Sequence, residues 1–136
     1  MLLVDDSEPF RQSLLSTLQE ISGLCITGEA ADGLEAVQKA ESIKPDIILL
    51  DVGLPKLNGL NTAELIRKCS PESKIVFLTN ETDPDVVKAA LDTGAVGYVH
   101  KLQAGTELKT AVDAALRGQQ FVSPNLKAGF LDTFAA

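Results

Sequence analysis

Asp5 and Asp6 stand side by side, Asp51 ends an apolar run, Thr79 ends another, and Lys101 follows a third. The short runs before them are Leu2–Val4, Asp46–Leu50, Lys74–Leu78 and Gly97–Val99. Read as parallel strands, these runs bring three carboxylates, a hydroxyl and an ammonium to one edge of a sheet. Crowded carboxylates repel, and the usual relief is a raised pKa or a bound cation. A hard divalent ion suits the set: Mg²⁺, or Mn²⁺ in its place, takes one or two carboxylates, retained waters and phosphate oxygens. The same groups suit phosphoryl transfer, because an aspartate can attack phosphorus and form an aspartyl phosphate. A cation, a lysine and a hydroxyl then share the charge on the transferred group's equatorial oxygens.

The rest of the chain supplies the elements that such an edge requires. Short β-branched runs, with Cys25–Gly28 as a fifth, alternate with segments of helical period, which marks βαβ units and a parallel sheet. The middle runs are apolar at consecutive positions, as strands covered on both faces must be. The helical period selects Phe10, Leu14, Leu18 and Ile21, then Leu34, Val37 and Ile43, then Leu60, Ala63, Leu65 and Ile66. Two further helices use Val86, Val87, Ala90 and Leu91, and Leu108, Val112 and Leu116. Pro9 and Pro84 fit first helical turns, and Gly23, Gly94 and Gly118 fall at or past helix ends. Right-handed crossovers make an α/β fold with a doubly wound five-stranded parallel sheet the simplest solution. Ligand chemistry in such sheets belongs at the carboxyl ends of the strands, near the switch in strand order.

Taken singly, each residue has a structural explanation: Asp6 as a helix cap, Thr79 as a turn hydroxyl, Lys101 as a solvated cation. Caps, however, need neither a lysine nor a third acid, and four of five strand ends carry groups suited to one reaction. Composition agrees with a folded domain that meets proteins or cations. The chain is 45% hydrophobic with a net charge of −7, which disfavours contact with nucleic-acid phosphates or anionic lipid. No apolar run approaches the roughly 20 residues of a membrane span, and Asp5 and Asp6 interrupt the start before a signal segment can form, so a cytoplasmic location is expected. Cys25 and Cys69 lack metal-ligand spacing and read as reduced core thiols. The single histidine, His100, reads as a surface residue.

With these motifs in order, the sequence resembles the receiver domains of two-component response regulators. The resemblance rests on Leu2-Leu3-Val4-Asp5-Asp6, Pro45-Asp46 through Asp51-Val52-Gly53-Leu54-Pro55, Leu57-Asn58-Gly59, Leu78-Thr79, Gly94-Ala95 and Gly97-Tyr98-Val99-His100-Lys101, and runs from residue 2 to about 117. The Gly97–Leu108 and Gln120–Pro124 stretches are most similar to the NarL/LuxR-type transcription regulators. The resemblance implies a flavodoxin-like (CheY-like) (βα)5 fold over residues 1–118, followed by a tail or linker helix over 119–136. It implies Asp51 as phosphoacceptor for a sensor histidine kinase, Asp6 as a direct Mg²⁺ ligand, Asp5 as a ligand through water and the Gly53 carbonyl as a third protein contact. Thr79 and Lys101 would hold the phosphoryl group, and Tyr98 would turn inward when Thr79 moves toward it. Such a domain catalyses only its own phosphorylation and dephosphorylation. DNA would be reached only through an output domain absent from this chain.

Three departures accompany the resemblance. Asn80 stands where relatives carry a small residue, and it and Glu81 are expected to modulate the lifetime of the phosphorylated state. Leu102 follows Lys101 where relatives carry Pro or Ser; a cis bond before a non-proline costs ~2.5–4 kcal/mol, so this link is either trans or strained. Leu126, Phe130 and Phe134 recur every four positions after Ser123-Pro124, which predicts a helix packed on its own domain or in a homodimer contact. Competing functions fit less well. A phosphohydrolase would carry Asp-x-Asp after the first strand, and a flavin binder would carry a phosphate loop where Asp-Asp-Ser-Glu-Pro stands. A degenerate receiver acting as an unphosphorylated interaction module is the remaining alternative.

Overall fold

The computed structural model describes residues 1–21, 23–54, 56–80 and 82–124. Its elements alternate: β1 (Leu2–Val4), α1 (Glu8–Leu18), β2 (Gly28–Ala30), α2 (Gly33–Ile43), β3 (Ile47–Asp51), α3 (Gly59–Cys69), β4 (Lys74–Thr79), α4 (Pro84–Asp92), β5 (Gly97–His100), a 3₁₀ turn (Lys101–Gln103), α5 (Ala104–Leu116) and β6 (Phe121–Val122). All pairings are parallel, in the order β2-β1-β3-β4-β5-β6. The chain steps outward from β1 to β2 and then returns past β1 to β3, so the switch in strand order lies between β1 and β3.

Alternation along the strands explains their continuous hydrophobicity. Leu2, Val4, Ile48, Leu50, Ile75 and Phe77 face the layer that contains Ala36, Ala63, Ile66 and Val87. Leu3, Leu49, Val76, Leu78 and Val99 face the other layer, with Leu14 and Leu18 of α1 and Leu108 and Val112 of α5. Both faces are dry, which accounts for the absence of polar alternation.

Helix starts follow their caps. Ser7, Asp32 and Asn58 accept the backbone N–H three residues on, and Pro9 and Pro84 occupy first turns as expected. Gly23, Gly94 and Gly118 all have positive φ. The faces of three helices differ from the sequence expectation. In α2 the buried residues are Gly33, Ala36 and Ala40, while Leu34 and Ile43 are exposed; in α3, Leu65 is exposed. Close packing of α2 against α3 and the sheet selects small residues there. Leu116 of α5 is also exposed.

Other corrections concern the edges of the sheet. The second strand begins at Gly28 rather than Cys25, because its pairing with β1 starts at Leu2↔Gly28. Cys25 is consequently exposed and Cys69 half-buried, so neither is a core thiol, though both are free. A sixth strand extends the sheet past residue 118, with Gly97↔Phe121 and Tyr98↔Val122 in register. Ser123 is fully buried; its hydroxyl accepts the His100 N–H at 3.0 Å and donates to a Glu107 carboxylate oxygen. The predicted stripe of Leu126, Phe130 and Phe134 lies outside the described residues, as do Pro55 and Glu81. Among the described residues no helix is long and apolar enough to cross a membrane.

Candidate functional site

Strand register assembles the site. Val4 pairs with Leu50, which sets Asp5 level with Asp51 one residue further along; Asp51 pairs with Leu78, and Thr79 pairs with His100. Thr79 and Lys101 therefore stand one step beyond their neighbours at the same carboxyl edge. Asp5, Asp51 and Thr79 are buried, while Asp6 is exposed. Single oxygens of Asp5, Asp6 and Asp51 all lie within 4.8 Å of one another.

Lys101 enters this cluster as its counter-charge. Its Nζ is 2.7 Å from Asp5 Oδ2 and 3.1 Å from Asp51 Oδ2. The contact with Asp51 is an aligned hydrogen bond, whereas the shorter one to Asp5 is an ion pair without that alignment. The other oxygens are fixed by backbone: Asp5 Oδ1 accepts the Ser7 N–H at 2.8 Å and Asp51 Oδ1 the Gly53 N–H at 3.0 Å. Burial raises the Asp51 pKa above the ordinary carboxylate value, the Gly53 N–H and Lys101 opposing it only in part. For Lys101, burial works to lower the pKa, but bonding to Asp5 and attraction to both carboxylates outweigh it, so the ammonium is held above its ordinary value.

These residues fit a divalent cation. Three carboxylates against one ammonium leave a local charge of −2, and buried Asp5 Oδ2 has no aligned donor among the described residues. Oxygen-only donors at a partly exposed edge match Mg²⁺ or Mn²⁺ rather than a soft metal. Beside the cluster opens a cleft of about 570 Å³ lined by Asp51, Gly53, Asn58, Thr79, Asn80 and Lys101. It is large enough for a phosphoryl group, with a carboxylate, a hydroxyl and an ammonium facing it.

Tyr98 is fully buried, its ring centroid 6.2 Å from that of Phe77 at a 50° tilt. Asn80 is exposed on the cleft rim. The described peptide bonds include no cis bond, so the Lys101–Leu102 link is trans. His100 is not a surface residue: it is buried, and its Nδ1 accepts the Leu102 N–H at 3.1 Å, capping the turn that carries Lys101. A strand ending directly in a 3₁₀ turn exposes an N–H that the imidazole satisfies, which strand periodicity alone does not reveal.

Several contributors escaped the sequence reading. Ser7 bridges Asp5 to α1 by donating to Asp5 Oδ1 and accepting the Phe10 N–H. Arg11 donates through one terminal nitrogen to the Asp5 carbonyl and pairs through Nε with Glu29 Oε1 at 3.1 Å. Its signal was present: it is the first basic residue after a run holding two aspartates and Glu8. Gly59 is packed so tightly that an added Cβ would lie 2.2 Å from the Asp51 carbonyl oxygen, which explains the Asn58-Gly59 pair.

Comparison with known proteins places the chain among response regulators. The chain is 34% identical to the response regulator GacA of Pseudomonas viridiflava over 93% of its own length and 59% of that protein's. It is 33% identical to the response regulator VraR of Staphylococcus aureus over 93% of its length and 60% of the relative's. The chain thus spans about three-fifths of these curated relatives. A two-component response regulator of the LuxR family from Aurantimonas sp. SI85-9A1 superposes with a TM-score of 0.94 at 28% identity, covering 99% of this chain and 96% of that one. Residues 1–113 match the response regulator receiver domain family, and the chain belongs to it.

Proposed function

We propose that Asp51 accepts a phosphoryl group from a sensor histidine kinase and that the domain relays this event as a conformational change. The observation that carries the reading is the Asp51 carboxylate itself: Oδ1 is fixed by the Gly53 N–H, while Oδ2 faces Lys101 at 3.1 Å on the wall of the cleft shared with Thr79. Attack by an Asp51 oxygen forms an O–P bond as the donor's N–P bond breaks. Lys101 follows the charge from the carboxylate to the phosphoryl oxygens, and the Thr79 hydroxyl donates to one of them. Asp5, Asp6, Asp51 and the Gly53 carbonyl would hold Mg²⁺ or Mn²⁺, which when bound neutralises charge on the transferred group.

In this reading the domain acts catalytically only on itself. Tyr98, buried against Phe77 on the strand before Lys101, is the aromatic whose packing follows the movement of Thr79. Asn80 modulates the lifetime of the aspartyl phosphate from the cleft rim, and Glu81 is assigned the same role from its sequence position. We read residues 1–118 as the receiver, with β6 and Ser123 added to its sheet, and the remainder of 119–136 as the connection toward an output domain. The resemblance to a LuxR-family regulator supports DNA-binding transcription control by that output, with homodimerisation as a route to it. A cytoplasmic location follows from a kinase partner of this kind.

The test is incubation with Mg²⁺ and acetyl phosphate followed by intact mass measurement. A single phosphoryl adduct in the natural sequence, absent in Asp51→Asn and in EDTA, is expected. No adduct with any small-molecule donor or kinase would overturn the reading and favour an unphosphorylated interaction module.

A further inference from the structure

Lys101 Nζ lies over the Phe10 ring, 4.7 Å from its centroid, within the range of a cation–π contact. The ring is half-buried and the lysine side chain is only 15% exposed, so the contact is partly desolvated. The backbone at Phe10 is fixed from within the acidic cluster. Ser7 donates its N–H to Asp5 Oδ1 at 2.8 Å, and its hydroxyl accepts the Phe10 N–H at 3.3 Å. A closed circuit results, running from Asp5 through Ser7 and Phe10 to Lys101 and back to Asp5.

We propose that Phe10 is a positioning residue for Lys101, its π face fixing the ammonium beside Asp51 so that it is in place when phosphoryl transfer begins; this rests on Asp51 being the phosphoacceptor. The physical need is specific. Lysine carries a point charge on a flexible four-carbon stem, whose rotamer freedom must be lost for the ammonium to hold one place. Its ionic partners also change character during the reaction: the Asp51 carboxylate becomes an acyl phosphate, and a cation would compete for Asp5. An aromatic face keeps its attraction through both changes and accepts no proton. The first turn of α1 is a rigid platform for it, because Pro9 and the Ser7 cap set its backbone.

The test compares the natural sequence with Phe10→Leu, which keeps apolar bulk without the π face, and Phe10→Trp, which restores one. Adduct formation from acetyl phosphate at saturating Mg²⁺ is expected to slow roughly two- to fivefold in Phe10→Leu, the range of a partly exposed cation–π contact, and to recover in Phe10→Trp. In metal-free protein, the Lys101 ε-methylene proton resonances are expected upfield in the natural sequence and in Phe10→Trp, and to move downfield in Phe10→Leu as the ring current is lost. Unmoved Lys101 resonances in folded Phe10→Leu would overturn the proposal. So would an unchanged rate in Phe10→Leu, or equal slowing in both variants, which marks a packing role alone. Failure of the natural sequence to form any adduct would refute the phosphoacceptor reading instead, and the resonance comparison would still decide whether Phe10 holds the lysine.

Discussion

Lys101 Nζ sits 2.7 Å from Asp5 Oδ2, an oxygen buried in the acidic cluster. Removing one partner of a buried ion pair strands the other, at a typical cost of about 3–5 kcal/mol. Lys101→Met is therefore expected to lower stability in EDTA by on the order of 3 kcal/mol by urea denaturation, with Asp5 and Asp51 left to repel. Millimolar Mg²⁺ should recover a large part of the loss, since a divalent ion answers the same carboxylates. The ammonium's pKa is raised, so its contribution is complete below the ordinary lysine value of 10.5 and fades as pH climbs through the raised value.

Asp51 behaves in the opposite sense from an ordinary paired carboxylate. Its pKa is raised above 3.8, chiefly by burial, so the folded state binds its proton more tightly than the unfolded chain does. Stability from this group is full below the unfolded value and is lost as pH rises through the folded one. At neutral pH in EDTA, Asp51→Asn is expected to melt above the natural sequence, and the gap should narrow as pH falls toward 4. A gap that widens on acidification would contradict the assigned direction.

The strand ends were legible in the sequence because they obey two simple rules. Consecutive apolar residues announce a strand buried on both faces, and a polar residue at its end marks the exposed edge; Asp5, Asp51, Thr79 and Lys101 follow from that pattern alone. The path of β2 was harder: it is the edge strand, where a partly exposed Glu29 replaces the continuous apolar run, and its partner Arg11 lies eighteen residues away. Helix α2 misled for a related reason: its buried face is alanine and glycine, and periodicity weighted by side-chain size picks out Leu34 instead. His100 escaped because its role depends on an N–H exposed by a turn, and β6 because two residues carry no period.

Gly59 answers a different question, whether the Asp51 backbone tolerates displacement. A Cβ there would sit 2.2 Å from the Asp51 carbonyl oxygen and 2.6 Å from the Val52 Cα, both rigid backbone. Gly59→Ala is expected to cost about 1–3 kcal/mol through overpacking. It should also slow adduct formation by on the order of 10- to 100-fold, because the nucleophile moves. Gly105→Ala in α5 is the control: nothing lies within 4 Å of its added Cβ, so stability should rise by about 0.5–1 kcal/mol with the rate unchanged.

Ser123 ties β6 to the strand that precedes Lys101. Its hydroxyl accepts the His100 N–H at 3.0 Å and donates to Glu107, while its own N–H reaches the Tyr98 carbonyl at 2.9 Å. Ser123→Ala keeps the last of these bonds and orphans a buried N–H and a carboxylate, at a cost of about 1–3 kcal/mol. Glu107 lies in the first turn of α5, where its charge already suits the helix N-terminus. Glu107→Gln gives up that favourable charge but keeps an amide oxygen able to accept the Ser123 hydroxyl, so it should cost less than Ser123→Ala, and the double variant should cost less than the two single losses added together. Hydrogen exchange at the His100 amide distinguishes the two bonds: it should accelerate in Ser123→Ala and stay protected in Glu107→Gln, because only the first removes the acceptor. Additive losses, or a His100 amide that remains protected in Ser123→Ala, would mean that β6 is held by backbone pairing alone.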